Sequence, residues 1–217
     1  MKNPDQKSKL QRYAVLILLA AGLLAAIILT LSERWTRAQI AANQAAYALR
    51  MVTEVLPAGS YDNEPGKDVI MLSYPDLPGS IEPLPAYRAR AGGQVIATAI
   101  TAVADDGYVG PIGLLIGIDD GGSIIRVRVL DHRETPGLGD KIETDKSDWI
   151  HLLEGKTASE DPNASEWLLR RDGGDIDQIS GATITSRAIL RTVRQTQRFY
   201  LENTARIHAA GNPESNN

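Results

Sequence analysis

Cysteine is absent from all 217 residues. That absence excludes disulfides, thiolate zinc sites, cysteine-ligated iron–sulfur clusters and haem attachment through CxxCH. If the chain carries electrons, it needs an organic cofactor. Histidine is scarce: His132, His151 and His208 lack metal-ligand spacing, so no metal site is expected. Basic excess is missing too. The net charge is −4, whereas a nucleic-acid partner calls for a basic face, so none is expected. Familiar fingerprints also fail. PGLGDK lacks GxGxxG spacing, and EGKT at 154–157 has Ile150 where the first glycine of a phosphate loop belongs. No GxSxG surrounds Ser180, and no catalytic residue is assigned.

Long apolar runs are likewise few, with a single exception. From Ala14 to Leu31 no residue is charged and only Thr30 is polar. At about 1.5 Å per residue, such a helix roughly matches a hydrocarbon core about 30 Å thick. Lys2, Lys7, Lys9 and Arg12 precede it against Asp5 alone, while Glu33, Arg34, Trp35 and Arg37 follow. The positive-inside bias puts the N-terminus in the cytoplasm and the rest outside, with Tyr13 and Trp35 at the interfaces. A cleaved signal peptide is the alternative, but the run is long for a signal core and AANQAAYA lies well beyond it. The expected division is a cytoplasmic N-terminus over 1–12, a membrane anchor over 13–32, a connecting helix over 33–56, an exported domain over 57–207 and a disordered tail over 208–217. Residues 34–217 carry a net charge of −6 and are enough to bury one core.

The connecting helix follows from alanine content and from Ile40, Tyr47, Met51 and Val55 at helical spacing. PAGSYDNEPGKD, 57–68, is turn chemistry. β-like runs follow as DVIMLSY, AYRAR, QVIATAITAV, IGLLIGID and SIIRVRVLD. The last two flank Asp120-Gly121-Gly122 as a hairpin. A helix is expected over Lys146–Leu153, and a longer one over SRAILRTVRQTQRFYLENTAR. There Ile189, Val193 and Tyr200 form a stripe that Leu190 and Leu201 widen. The class is α+β, with a central antiparallel sheet and helices at both ends.

Two constellations remain. Asp177 to Ser186 reads DQISGATITS, which sets Gly181 and Ala182 among the hydroxyls of Ser180, Thr183, Thr185 and Ser186 just before a helix. Such a stretch serves as a helix start, with hydroxyls as caps and glycine easing the turn. It equally serves an anion: small residues admit a phosphate to the backbone, helix-start N–H groups favour its charge, and a Thr hydroxyl can bond or esterify it. The other constellation is Glu134-Thr135-Pro136-Gly137-Leu138-Gly139. It is either a rigid Pro-Gly surface turn or a loop that lets backbone and one apolar side chain lie against a flat ring.

DQISGATITS resembles the flavinylation motif, Asp-x-x-Ser/Thr-Gly-Ala-Thr, of covalent FMN-binding domains in bacterial respiratory complexes. HRETPGLGDKIE, GYVGPIGLLIGID and DKSDWI resemble further segments of that domain, in the same order. With the anchor, the resemblance spans nearly the whole chain and is nearest to the G-subunit family of Rnf-type ion-translocating electron transport complexes. It implies an FMN joined through its phosphate to Thr183 by a flavin transferase using FAD. Ser180, Gly181 and Ala182 would shape the attachment turn; Glu134, Thr135, Gly137, Leu138 and Gly139 would border the ring. It further implies an inner-membrane location with a periplasmic domain, other redox subunits as partners and electron relay as the role. Three alternatives stand beside this: the C-subunit family of sodium-translocating NADH:quinone reductases, a membrane-tethered flavin redox sensor, and an exported binding domain with no flavin.

Overall fold

The computed structural model describes residues 4–73, 82–159, 161 and 164–209. Tyr74 of the first β-like run and residues 210–217 of the expected tail lie outside them, as do the side chains of Tyr13, Ile40 and most charges flanking the apolar run. The chain divides into two compact units, Met1–Tyr47 and Ala48–Asn217.

Helix α1 runs from Pro4 to Val55, so the apolar run and the expected connecting helix form one element. In the first unit Leu16–Glu33 has a mean hydropathy of 2.3, and it is long and apolar enough to cross a membrane. Leucine and alanine supply both the helix propensity and the apolar surface, with neither proline nor charge to interrupt the run.

In the second unit five strands form an antiparallel meander in chain order: β1 (Val69–Leu72), β2 (Leu84–Ala91), β3 (Gln94–Ala104), β4 (Ile112–Asp119) and β5 (Ile124–Asp131). Alternation puts one row on each face. Ala86, Ile100, Ile116 and Val127 are successive cross-strand partners and are fully buried on one side. Helix α2 (Thr183–Ala209) packs there through Ala188, Ile189, Val193 and Tyr200. On the other side Ala89, Ala97, Ala99 and Leu115 meet Met51, Val52, Val55 and Leu56 at the end of α1. β4 is covered on both faces, which explains its unbroken apolar sequence. Each large aliphatic side chain so buried contributes about 1.5–3 kcal/mol.

Three local expectations change. Lys146–Leu153 is not an α-helix: a 3-10 turn covers Trp149–Leu153 only. Ser147 diverts the backbone, since its hydroxyl donates to the Lys141 carbonyl and accepts from the Trp149 N–H. Leu201 is 44% exposed, so it does not widen the buried stripe, and Tyr47 is 49% exposed. Finally α2 starts three residues early, at Thr183, and continues through His208 and Ala209. Its far end is held because Ile207 is fully buried and Tyr200 Oη lies 3.0 Å from His208 Nε2.

A buried ion pair anchors that end. Arg88 of β2 is fully buried; its Nε and Nη2 both donate to Asp68 Oδ1, and Nη1 donates to the Ile207 carbonyl at 3.0 Å. Arg90 takes the other Asp68 oxygen at 2.5 Å. A guanidinium against the last turn of α2 also complements the helix dipole.

Candidate functional site: a cleft at the start of α2

A cleft of about 580 Å³ opens where the 107–110 loop, the loop after β5 and the start of α2 converge. Tyr108, Glu134, Thr135, Leu138, Gly139, Arg171 and the five residues Gly181–Thr185 line it. Both constellations from the sequence therefore meet, across about 45 residues of chain.

The first wall is built by backbone. The Thr135 carbonyl accepts from the N–H groups of Leu138 (3.1 Å), Gly139 (3.0 Å) and Asp140 (3.4 Å). That tight turn pushes Leu138 outward, where it stays 44% exposed. Gly139 is needed for closeness: a Cβ there would stand 2.7 Å from the Glu134 Cβ.

The second wall starts at Ser180–Ala182, where the chain turns into α2. Gly181 has φ +80°, the left-handed region, and a Cβ on it would come within 2.9 Å of Leu138 Cδ2. The Ser186 hydroxyl fastens the turn by accepting from the Ile179 N–H (3.1 Å) and donating to the Ala182 carbonyl (3.0 Å). Thr183 is the first residue of α2 and partly buried. Ala182 before it has no side chain able to cap the helix, and the first-turn residues Thr183–Thr185 line the cleft, so the positive end of α2 lies beside it.

Glu134 joins the walls. It is 4% exposed; Oε2 accepts from the Thr185 hydroxyl (2.6 Å) and Oε1 from the Val109 N–H (3.0 Å). Its own N–H donates to His132 Nδ1 (3.1 Å), so the imidazole proton sits on Nε2 and faces Glu143 Oε1 at 2.8 Å. Thus Glu134 spends its carboxylate on holding three segments together.

The structure brings Glu134, Thr135, Leu138, Gly139, Gly181, Ala182 and Thr183 to the cleft. Ser180 is exposed, and neither it nor Gly137 lines the cavity. Sequence reasoning missed Tyr108, Arg171, Ile184 and the role of Thr185. Tyr108, 66% exposed between glycines, carries a faint signal as an aromatic without a core to enter. Arg171 carries none locally.

These features fit a flavin nucleotide. The volume lies within the range of small-molecule and cofactor sites, roughly 300–1,000 Å³. Exposed Leu138, Ile184 and Tyr108 offer apolar surface to a flat ring, while a helix start, a hydroxyl and a guanidinium suit its phosphate end. Among the described residues no cluster of His, Cys, Asp and Glu could hold a metal.

Comparison with known proteins agrees with this chemistry. Residues 107–197 match the FMN-binding domain family. The G subunit of the ion-translocating oxidoreductase complex of Pseudomonas aeruginosa (strain UCBPP-PA14) is 43% identical over 182 residues, covering 84% of this chain and 85% of that protein. Proteins of the same name from Shewanella baltica (strain OS223) and Vibrio atlanticus (strain LGP32) are 38% identical over 207 residues and 40% over 174. They cover 95% and 80% of this chain, and 94% and 82% of their own length. With an FMN-type cleft inside the matched segment and relatives of this similarity along most of its length, the chain belongs to the G-subunit family of ion-translocating oxidoreductase complexes.

Proposed function

We propose that the chain is a membrane-anchored flavoprotein subunit that relays electrons within an ion-translocating oxidoreductase complex, its FMN joined by a phosphoester to Thr183. The observation that carries this reading is the Thr183 hydroxyl on the first residue of α2, in a cleft faced by the Glu134–Gly139 loop. When bound, FMN accepts electrons from one partner and yields them to another. The chain's own residues position and shield. Gly181 and Ala182 leave room at the backbone, the α2 start favours the phosphate charge, and Leu138 and Tyr108 give apolar cover. Covalent attachment suits an exported carrier, because a dissociated cofactor would be lost by dilution.

Attachment requires a flavin transferase with FAD as donor: the Thr183 Oγ1–P bond forms, the P–O bond to AMP breaks, AMP leaves and the Thr183 proton passes to solvent. The lysine-rich N-terminal flank supports an inner-membrane anchor with the domain on the periplasmic side, where other subunits supply donor, acceptor and ion path.

The test is colour that survives denaturation. Protein co-expressed with the transferase should precipitate yellow in acid and show the FMN increment in intact mass; without the transferase it should do neither. A colourless pellet under both conditions overturns the covalent reading. For orientation, a reporter active only outside the cytoplasm, fused after Asn217, should work. Activity of a cytoplasmic reporter instead reverses the topology.

A further inference from the structure

Three consecutive residues, Arg170, Arg171 and Asp172, form a short 3-10 turn beside the cleft. Two of them are neutralised locally. Arg170 Nε lies 3.3 Å from Asp177 Oδ1, and Asp172 receives a fork from Arg187 through Nε (2.9 Å) and Nη2 (2.8 Å). Arg171 stands between them, exposed, and among the described residues it forms no ion pair. Its backbone is well fixed. Asp172 N–H and Gly174 N–H both donate to the Leu169 carbonyl (2.8 and 2.9 Å), and Leu169 bridges Ile176.

The Arg187 fork ties the turn to α2. Arg187 follows Thr183 by four residues on α2, hence on the same helical face one turn on. By gripping Asp172 it draws the turn against the start of α2, and Arg171 lines the cleft beside Gly181–Thr185. Asp172 shows how closely the charges sit. Its carboxyl is held below the ordinary range first by the Arg187 hydrogen bond, and the Arg171 charge adds to that. Among the described residues Glu134 is the one carboxylate lining the cleft, and it already has both oxygens engaged, by Val109 and Thr185. Among the described residues no carboxylate lining the cleft is therefore left to pair with Arg171, whose exposed guanidinium is open to an anionic ligand.

We propose that Arg171 binds the phosphate at Thr183, holding the anionic end of the flavin nucleotide against the start of α2. This rests on the covalent-FMN reading and extends it to a residue of phosphate recognition. Guanidinium offers planar paired donors that match phosphate oxygens, and as a diester the linkage retains one negative charge for it. During attachment the same cation neutralises the phosphate as Thr183 Oγ1 bonds to phosphorus and AMP departs.

The test uses full-length wild type, Arg171→Gln, Arg171→Lys and, as a surface control, Arg198→Gln, each incubated with flavin transferase and FAD. Gain of the FMN mass increment is followed in time, and the phosphorus resonance of each labelled protein is recorded. Arg171→Gln should label about tenfold more slowly at low salt, the cost of one charged hydrogen bond. The gap should narrow at high salt, and the phosphorus resonance should move. Arg171→Lys, which keeps the charge but loses the paired donors, should recover only part of the rate, and Arg198→Gln should match wild type. Labelling of Arg171→Gln at the wild-type rate overturns the proposal. So does a slowed rate with neither salt dependence nor a moved resonance, since that places Arg171 in contact with the transferase instead. If wild type itself gains no increment, the covalent reading fails separately. Binding of free FMN against riboflavin then decides: loss of the FMN preference in Arg171→Gln upholds phosphate recognition, and a retained preference overturns it.

Discussion

The two walls of the cleft reach similar shapes by different means. The 134–140 loop is shaped by backbone, three N–H groups converging on the Thr135 carbonyl, and it presents an apolar side chain. The 179–185 turn is shaped by side chains, the Ser186 hydroxyl bracing it and Glu134 holding Thr185, and it presents a hydroxyl at a helix start. In the proposed reading the first wall sets the surroundings of the flavin and the second its attachment. Substitutions in the two should fail in different ways.

The largest expected effect is at Thr183. Thr183→Val nearly keeps the shape and deletes the attacking oxygen. The protein should fold, by circular dichroism and thermal melting, yet gain none of the FMN increment with transferase present. An increment retained in Thr183→Val moves attachment to Thr185 and dissolves the distinction between the walls.

Next come two glycines that the sequence treats alike and the structure separates. Gly139→Val forces Glu134 to move, because the new Cβ would stand 2.7 Å from the Glu134 Cβ. A loss of about 2–3 kcal/mol is expected, with altered flavin absorbance but covalent FMN retained. Gly137→Val meets open space, though at φ +79° it is strained, so about 1–2 kcal/mol should be lost with the spectrum unchanged. Denaturant melts with visible spectra distinguish them, and equal spectral change in both would deny the special closeness of Gly139.

Thr185→Val should cost about 1–2 kcal/mol, because a buried carboxylate oxygen loses its donor. Covalent FMN should persist, and Thr185→Ser should restore stability. A neutral result in the melt would mean that the walls are not joined through Glu134.

The smallest effect lies at the other end of α2 and serves as a control. Burial, reinforced by Arg90 and Arg88 and opposed by Asp120, holds the His208 imidazole below its ordinary value. The unfolded chain therefore takes up the proton more readily than the folded one. This contribution is complete above about pH 6.5 and is lost as pH falls through the depressed folded value. His208→Gln should flatten that part of the melting profile between pH 8 and 5 and leave the flavin spectrum alone. An unchanged profile would remove His208 from the balance.

Much of this was legible in the sequence, for physical reasons that stop at a definite point. An unbroken apolar run in β4, apolar–basic alternation in β5 and the Asp120-Gly121-Gly122 turn between them mark the hairpin, because each of these signals is local. The stripe of Ile189, Val193 and Tyr200 marks α2. Its start was hidden, since hydroxyl residues between Thr183 and Ser186 favour caps and interiors about equally until their partners are known. The Glu134–Thr185 bond spans 51 residues, and no window of sequence contains it. Arg171 lines the cleft from the 170–172 turn, beside the Asp172–Arg187 fork that pairs residues 15 apart on different elements. Local pattern thus yields the elements and the two segments that face each other across the cleft, whereas the residues that complete it arrive by tertiary contact.

The clamp of Arg88 on the Ile207 carbonyl closes a loop of 119 residues. With Glu134 gripping Thr185 at the near end, α2 is tethered at both ends to segments made much earlier in the chain. Such contacts form only after long loops close, which is a late event in folding. The cleft is therefore not complete until the late contacts of α2 have formed. A transferase that reads the cleft rather than the bare motif would leave unfolded or half-translocated chains unmodified. Maturation would then double as quality control, with colour reporting that the whole domain has assembled.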